Sequence, residues 1–244
     1  MTSVLFVALV LAMAILVGLA LVSSERGSGR RPRGWALVVG FVLVYLAVPA
    51  LLATTGLLDR YDAMPAPALL LVLFLTAVTV LFAVSSLGAH LSSSIGLATL
   101  VGFQVFRVPV EWLLHWLAVE QVIPEVMTYS GRNFDIVSGI TGGLLGVWLL
   151  RHKVSARLLT LWNVLGLVLL ANIVLVAILS TPIPFRVFTE GRPNLLPSTF
   201  PYVWLPSFLV QLALLGHLML FRRLRSASVT ERDVAAGRTP PAMQ

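Results

Sequence analysis

Three polar side chains, Arg107, Glu111 and His115, follow one another at intervals of four residues inside the apolar run Gly96–Ala118. At helical periodicity this spacing places all three on one face of a helix. A charged side chain near the middle of a membrane-spanning helix costs about 2.5–3.5 kcal/mol on insertion scales. The chain needs a partner, a water-filled cavity or a ligand to offset that cost. This stripe is therefore the best candidate for a functional site.

Two interpretations of the stripe remain open. In the structural one, Arg107 and Glu111 pair with each other or with a neighbouring helix. In the functional one, they line a pocket in which Arg107 holds an anionic group and Glu111 is the pH-sensitive member. Gln104 extends the stripe by one turn. Pro109 frees the carbonyl of Val105 and is expected to bend the helix, which would open such a cavity.

Polar residues on other apolar runs extend the candidate set. Asn133 and Asp135 lie where the fifth run begins. One of them is expected to cap that helix; alternatively, Asp135 or Arg132 faces the stripe and helps to line the pocket. Asn172, on the sixth run, is placed to reach the same pocket. The candidate ligand-binding residues are Gln104, Arg107, Glu111, His115, Asn133, Asp135 and Asn172.

The composition indicates an integral membrane protein. Of the 244 residues, 58% are hydrophobic and only 11% are charged, far below the roughly 25% that soluble domains carry. Disorder is excluded for the chain as a whole on the same grounds. The formal net charge of +7 is crowded into short loops between apolar runs, which is a topology signal and argues against binding to nucleic acid.

Seven apolar runs predict an all-α, polytopic protein with seven transmembrane helices. Most runs reach the roughly 20 residues that span the hydrocarbon core; the fifth is short and is expected to cross with little tilt or with local thinning of the bilayer. Residues 1–225 would form this domain, and the polar segment 226–244 a disordered cytoplasmic tail. The runs are Val4–Val22, Trp35–Thr55, Ala66–Val84, Gly96–Ala118, Ile136–Leu150, Leu158–Ser180 and Val203–Phe221.

The basic residues orient these helices. With seven crossings, twelve of them fall on one side of the membrane: Arg26, Arg30, Arg31, Arg33, Arg151, Lys153, Arg157, Arg222, Arg223, Arg225, Arg232 and Arg238. The other side carries four arginines among six acidic residues. The positive-inside rule therefore predicts the N-terminus outside and the C-terminus inside. The arginines that end the last helix are expected to anchor it against the inner headgroups.

Two outer connections are longer than the other loops. They are Val119–Asp135, between the fourth and fifth runs, and Thr181–Tyr202, between the sixth and seventh. The second carries five prolines, which prevent a regular helix but fix many φ angles. We expect it to be ordered, either as a cap that folds back over the bundle or as an extended surface linker.

Small and amide residues predict contacts between helices. Gly139 and Gly143 form a GxxxG spacing in the fifth run, which allows close approach of a neighbouring helix, of this chain or of a partner protein, or a groove for an apolar ligand. Asn163, Asn172 and Gln211 are expected to form hydrogen bonds between helices.

Several kinds of chemistry are excluded or disfavoured. Cysteine is absent, so there is no disulfide, thiolate metal site or iron–sulfur cluster. The only lysine, Lys153, lies in a loop, so a retinal Schiff base in the last helix is impossible. His90, His152 and His217 are assigned near the inner surface without an i, i+4 pair, which argues against a metal or haem site. No cofactor and no metal are expected.

Roughly the second half of the chain contains the segments Phe106-Arg-Val-Pro-Val-Glu-Trp-Leu-Leu-His115, Ile123-Pro-Glu-Val-Met127, Gly131-Arg-Asn-Phe-Asp135, Thr181-Pro-Ile-Pro-Phe-Arg186 and Phe200-Pro-Tyr-Val-Trp-Leu-Pro206. These segments resemble a family of uncharacterised bacterial integral membrane proteins with seven helices. The resemblance implies a bacterial source, hence the cytoplasmic membrane, and no particular activity.

Three classes of function follow. The leading one is a membrane protein whose outward-facing polar pocket binds or transports a small or lipid-like molecule. The second is an intramembrane enzyme at the outer leaflet, with Glu111 or Asp135 as acid or base and Arg107 stabilising an anion. The third is a non-catalytic subunit of a membrane complex, with the glycine face of the fifth helix as its contact.

Overall fold

The computed structural model describes residues 1–26 and 34–235, and within these ranges the chain forms helices and turns without a strand. This confirms the all-α class. An apolar chain must satisfy its backbone hydrogen bonds internally, which favours helices over these runs. The helices are α1 (Thr2–Arg26), α2 (Gly34–Thr54), α3 (Pro67–Val84), α4 (Ser86–Ser94), α5 (Leu97–Gly102), α6 (Arg107–Val119), α7 (Ile136–Leu149), α8 (Ala156–Ser180) and α9 (Val210–Ala235).

Among the described residues, five helical segments are long and apolar enough to cross a membrane: Thr2–Ser23, Pro67–Val84, Leu97–Val119, Ala156–Ser180 and Leu205–Ser226. Two further apolar helices, Val39–Thr54 and Ile136–Leu149, are shorter. Every predicted apolar run therefore coincides with a helix.

The fourth apolar run is irregular, but at a different place from the one predicted. A 3-10 stretch, Phe103–Phe106, joins α5 to α6 one turn before Arg107. Pro109 is the third residue of α6, where the backbone N–H has no partner within that helix and proline is tolerated. The irregularity that the structure shows in this run is a change in helical pitch that ends at Arg107, and the bend at Pro109 stays a prediction.

Helix α7 begins beside Arg107, half-way along the neighbouring span. A Cβ on Gly139 would lie 3.0 Å from the backbone nitrogen of Val108, and one on Gly143 would lie 2.9 Å from Val105 Cγ2. Helix α7 thus runs antiparallel to the first half of the Leu97–Val119 span. The Gly139/Gly143 face is covered by this chain itself.

The connection 120–135 consequently descends into the bundle. It leaves α6 at Val119, twelve residues or about 18 Å beyond Arg107 at helical rise, and returns to the level of Arg107. Its side chains Ile123, Met127 and Thr128 are buried. Irregular backbone at this depth is tolerated where protein encloses it. The shortness of α7 is explained by this re-entrant connection, which takes the place of further helical turns.

The connection 181–204 is folded and packs over the ends of α8 and α9. Asn194 donates hydrogen bonds from Nδ2 to the carbonyl of Ala177 (3.1 Å) and accepts one from the backbone N–H of Leu196 (3.2 Å). Ile183 and Leu196 are buried. The ordered cap predicted from the prolines is therefore present. We call the end of the bundle formed by residues 120–135 and 181–204 the loop end.

The opposite end contains α4, which the sequence did not predict. Ser85 Oγ accepts a hydrogen bond from the N–H of Gly88 and begins that helix. Arg222, on α9, donates to the carbonyls of Ala83 (2.7 Å) and Ser85 (2.9 Å), and Arg223 donates to Ser93 O (3.0 Å). These arginines thus bind helix ends of the same chain, whereas the sequence assigned them to lipid headgroups.

The final helix extends further than predicted at its C-terminal end. A π-helical turn, Leu205–Leu209, precedes α9, which continues to Ala235. Ser226, where the sequence placed the beginning of a disordered tail, therefore lies inside a helix, since no glycine or proline interrupts residues 226–235. Residues 236–244 and the predicted inner-loop arginines Arg30, Arg31 and Arg33 lie outside the described residues.

Candidate functional site

Arg107 is buried at the start of α6 with two polar partners from other helices. Its side chain has 2% relative exposure. Nη2 lies 2.7 Å from Oδ1 of Asp135, and Nη1 donates to Nε2 of His217 at 3.0 Å. Of the two pairings that the structural interpretation allowed, Arg107 makes the one with a neighbouring helix and not the one with Glu111, because α7 brings Asp135 against the guanidinium. The acid that neutralises Arg107 therefore comes from a different helix.

Glu111 is equally buried and is held by an amide. Asn133 Nδ2 donates to Glu111 Oε2 at 2.6 Å and to the carbonyl of Met127 at 3.1 Å. Asn133 Oδ1 accepts from the backbone N–H of Asp135 at 3.0 Å. Asp135 occupies the N-cap position of α7 but makes no capping hydrogen bond with its side chain. Of the two interpretations of Asp135, the one in which it faces the stripe is therefore the one observed.

His217, on α9, completes this network, although the sequence placed it near the inner surface. Asn163 Nδ2 donates to the backbone carbonyl of His217 (3.0 Å), so its Oδ1 faces the ring Nδ1 at 2.7 Å. Nδ1 then carries the proton, and Nε2 is the acceptor for Arg107. Gly166 makes the position possible, because a Cβ there would overlap the imidazole. The interhelical role predicted for Asn163 is confirmed.

A cavity of ≈ 90 Å³ adjoins this network on the side of the loop end. Arg107, Glu111 and Asp135 form its charged wall, and the connection 181–204 contributes Asn194 and Leu196. The remaining lining is almost wholly apolar side chains from α3, α6, α8 and α9. The cavity thus has one polar wall in otherwise hydrophobic surroundings, the usual character of a small-molecule site.

Several polar atoms of this wall are buried without a hydrogen bond to any described residue. On the wall these are Arg107 Nε and Nη2 and Asp135 Oδ1; Gln104 Oε1 and Ser138 Oγ are also buried without a hydrogen-bond partner but do not line the cavity. Arg107 Nη2 and Asp135 Oδ1 are close enough for an ion pair, but their alignment does not make a hydrogen bond. Buried polar groups are nearly always satisfied in proteins, so such a cluster requires an explanation.

The other predicted site residues lie outside the cavity. Gln104 donates to the carbonyl of Ala213 (3.1 Å) and packs beneath Arg107. Asn172 donates to the carbonyl of Arg132 (2.7 Å), which ties α8 to the re-entrant connection. His115 stacks on Tyr129, with ring centroids 4.8 Å apart, and lines a separate cleft at the loop end. The sequence spacing was right for the helix face but did not specify which of these side chains reach one cavity.

No group of three histidine, cysteine or acidic residues in the described part of the chain is arranged to hold a metal ion. No protein-family model, curated protein or solved structure matches the chain. The resemblance noted in the sequence therefore receives no support from these comparisons.

Proposed function

We propose that the chain crosses the cytoplasmic membrane of a bacterium seven times, with the N-terminus and the loop end outside. Five of the crossings are the long apolar segments, and the two shorter helices, α2 and α7, provide the other two. Helix α7 crosses together with the re-entrant connection. Two contacts support the orientation: Thr2 donates a hydrogen bond to Glu120, and Ser3 Oγ lies 2.8 Å from Tyr202 Oη, so the N-terminus belongs to the loop end. The basic residues concentrate at the opposite end, as the positive-inside rule requires of the cytoplasmic side.

Within this topology, the protein binds a small or lipid-like molecule in the cavity beside Arg107. The observation that carries this proposal is a buried charged wall on one side of an apolar cavity, in which Nε of Arg107 has no hydrogen-bond partner among the described residues. An amphipathic molecule satisfies both features at once. Its polar group would supply the missing hydrogen bonds, and its apolar part would fill the hydrophobic remainder.

Glu111 argues against a purely structural network. Arg107 and Asp135 offset each other's burial by direct ion pairing. Glu111 adds a further intramembrane acid, at a cost of about 2.5–3.5 kcal/mol on insertion scales, and the neutral amide of Asn133 donates its hydrogen bond. Since Arg107 already has Asp135 as its ion-pair partner, a role in the cavity is the better explanation for a second acid in that wall.

Native mass spectrometry of the detergent-extracted full chain tests this proposal. We expect the wild-type protein to retain a non-protein adduct that survives extensive washing. Arg107→Gln and Glu111→Gln should each reduce its occupancy, because each removes a polar contact from the cavity wall. Glu190→Gln, a charge change at an exposed site on the connection 181–204, is the matched control and should leave the adduct intact.

The proposal fails if the wild-type chain carries no such adduct, or if the control loses it as readily as the cavity variants. Circular dichroism and thermal unfolding of each variant show whether a loss of the adduct results from misfolding. The Glu111→Gln change keeps the size of the side chain and an oxygen to accept from Asn133, so this variant is expected to fold.

A further inference from the structure

The cavity beside Arg107 has a mouth that can be located from the exposure of its lining. Its charged wall and its roof, which includes Met127 and Leu196, are buried. Its partly exposed lining residues are apolar and belong to α3, α8 and the segment that begins α9. They are Leu69, Val72, Val174, Ala177, Ile178, Leu205, Pro206 and Val210. The opening therefore lies between α3 and α8, across the π-helical turn that precedes α9.

This mouth faces sideways. Leu69 and Val72 lie in the first turns of α3, and Val174 and Ile178 in the last turns of α8, so all of them are near the loop end. Their neighbours Leu73 and Leu175 are 65% and 56% exposed, which indicates a surface in contact with lipid. Under the proposed orientation, the mouth opens into the hydrocarbon of the outer leaflet. The buried roof separates the cavity from the aqueous side.

The charges of the wall restrict the polar group of the occupant. Among the described lining residues, Arg107 is the one cation, and it already pairs with Asp135 while Glu111 lies one turn away. The wall thus has two carboxyl groups for one guanidinium and no positive charge left for an anion. The wall nevertheless offers hydrogen bonds of both kinds: Nε of Arg107 is a buried donor without a partner among the described residues, and the carboxyl oxygens of Asp135 and Glu111 are acceptors.

The size of the cavity restricts the apolar part of the ligand. At ≈ 90 Å³, it is well below the roughly 300–1,000 Å³ of pockets that enclose drug-sized ligands. One acyl chain entering through a lateral mouth can place its polar end in this space while the rest of the chain stays in lipid. A phospholipid with two chains and a charged headgroup does not match either the volume or the charge.

We infer that the ligand is a single-chain amphiphile with an uncharged head that carries both hydrogen-bond donors and acceptors, such as a monoacylglycerol, and that it enters sideways from the outer leaflet. This inference rests on the proposed binding function and adds the ligand class and the route. The head would contact Arg107, Asp135 and Glu111, and the acyl chain would leave between Val72 and Val174.

The test measures binding of 1-monooleoylglycerol and of oleoyl lysophosphatidylglycerol, which share one acyl chain but differ in head charge, to the full-length protein in detergent. Native mass spectrometry gives the occupancy at each lipid concentration. We expect the uncharged lipid to bind more tightly. Val174→Trp and Val72→Trp should each weaken its binding by about tenfold or more, because the indole occupies the mouth.

Leu175→Trp and Leu73→Trp are the matched controls, one residue along the same helices on the lipid-facing side, and should bind as the wild type does. Equal binding by Val174→Trp, Val72→Trp and the controls would overturn the lateral route, and tighter binding of the anionic lipid would overturn the uncharged head. If neither lipid binds while the wild type keeps its native adduct, this inference fails and the proposed function stands. If the adduct is absent as well, both fail.

Discussion

The ion pair between Arg107 and Asp135 makes a sharp prediction about which acid matters for stability. Replacing Asp135 by Asn leaves the guanidinium buried with His217 as a neutral partner. Removing one member of a buried ion pair typically costs about 3–5 kcal/mol. We expect a value near the lower end, about 3 kcal/mol, since Glu111 lies one turn away and still offsets part of the charge.

A double-mutant cycle isolates the pair. Arg107→Gln, Asp135→Asn and the double variant should give a coupling energy of about 2–3 kcal/mol, at the upper end of the range for residues that share one network. The parallel cycle with Glu111→Gln should give less than about 1 kcal/mol, because the closest polar contact of Glu111 is Asn133 and not Arg107. The free energy of unfolding is measured by steric trapping or by denaturant titration in mixed micelles, on the full chain.

The result that refutes this reasoning is specific. If Arg107 does not couple more strongly to Asp135 than to Glu111, the ion-pair partner of the guanidinium is the acid on its own helix, and the assignment of the Arg107–Asp135 pair is wrong. If neither acid couples to Arg107, the network of buried charges does not exist in the membrane.

Two further changes test the surroundings of the site. Gly166→Ala should lower the free energy of unfolding by about 1–3 kcal/mol through overpacking, because the new methyl group would overlap the His217 ring; thermal unfolding measures this, and Gly18→Ala, where a Cβ meets nothing within 4 Å, should cost nothing. Burial raises the pKa of the Tyr61 phenol, whose Oη donates to Ser198 Oγ at 2.9 Å between two loops. The unfolded chain releases that proton first, near the ordinary pKa of about 10. Stability should therefore be full below about pH 10 and fall as the pH rises from there through the folded pKa. Tyr61→Phe should make that fall smaller, and an unchanged pH dependence in this variant would contradict the assignment.

The helices followed from the sequence because each apolar run has one way to satisfy its backbone in hydrocarbon. The choice of Arg107, Glu111 and Asp135 as candidate site residues followed from the cost of placing charges there. These conclusions need only composition and spacing along the chain, which a single sequence contains.

The partners of each side chain within the site did not follow from the sequence, because they depend on how the helices pack against one another. Spacing along one helix made Glu111 the nearest acid to Arg107. The glycines of α7, Gly139 above all, let the backbone of another helix approach and bring Asp135 closer. The closest partner was thus decided by a contact between residues 28 positions apart in the sequence.

His217 was misplaced for a related reason. Counting from a helix end at Phe221 put it near the inner surface, whereas the apolar span continues to Ser226 and α9 to Ala235. Arg222 contributes to this extension by donating to carbonyls at the end of α3. In the sequence, Arg222 was interpreted as marking the end of the membrane-spanning segment. In the structure, its guanidinium donates hydrogen bonds within the protein.

Photo-crosslinking is the most direct test of whether the cavity beside Arg107 holds a lipid-like molecule. The full-length protein is purified in nanodiscs that contain a monoacylglycerol with a diazirine in its acyl chain, irradiated and digested, and the labelled residues are identified by mass spectrometry. The account predicts labels on cavity residues such as Leu209 and Val174, and their loss in Val72→Trp, while the lipid-facing Leu175 is labelled equally in both proteins. Labels confined to the outer surface of the bundle, unchanged by Val72→Trp, would contradict it.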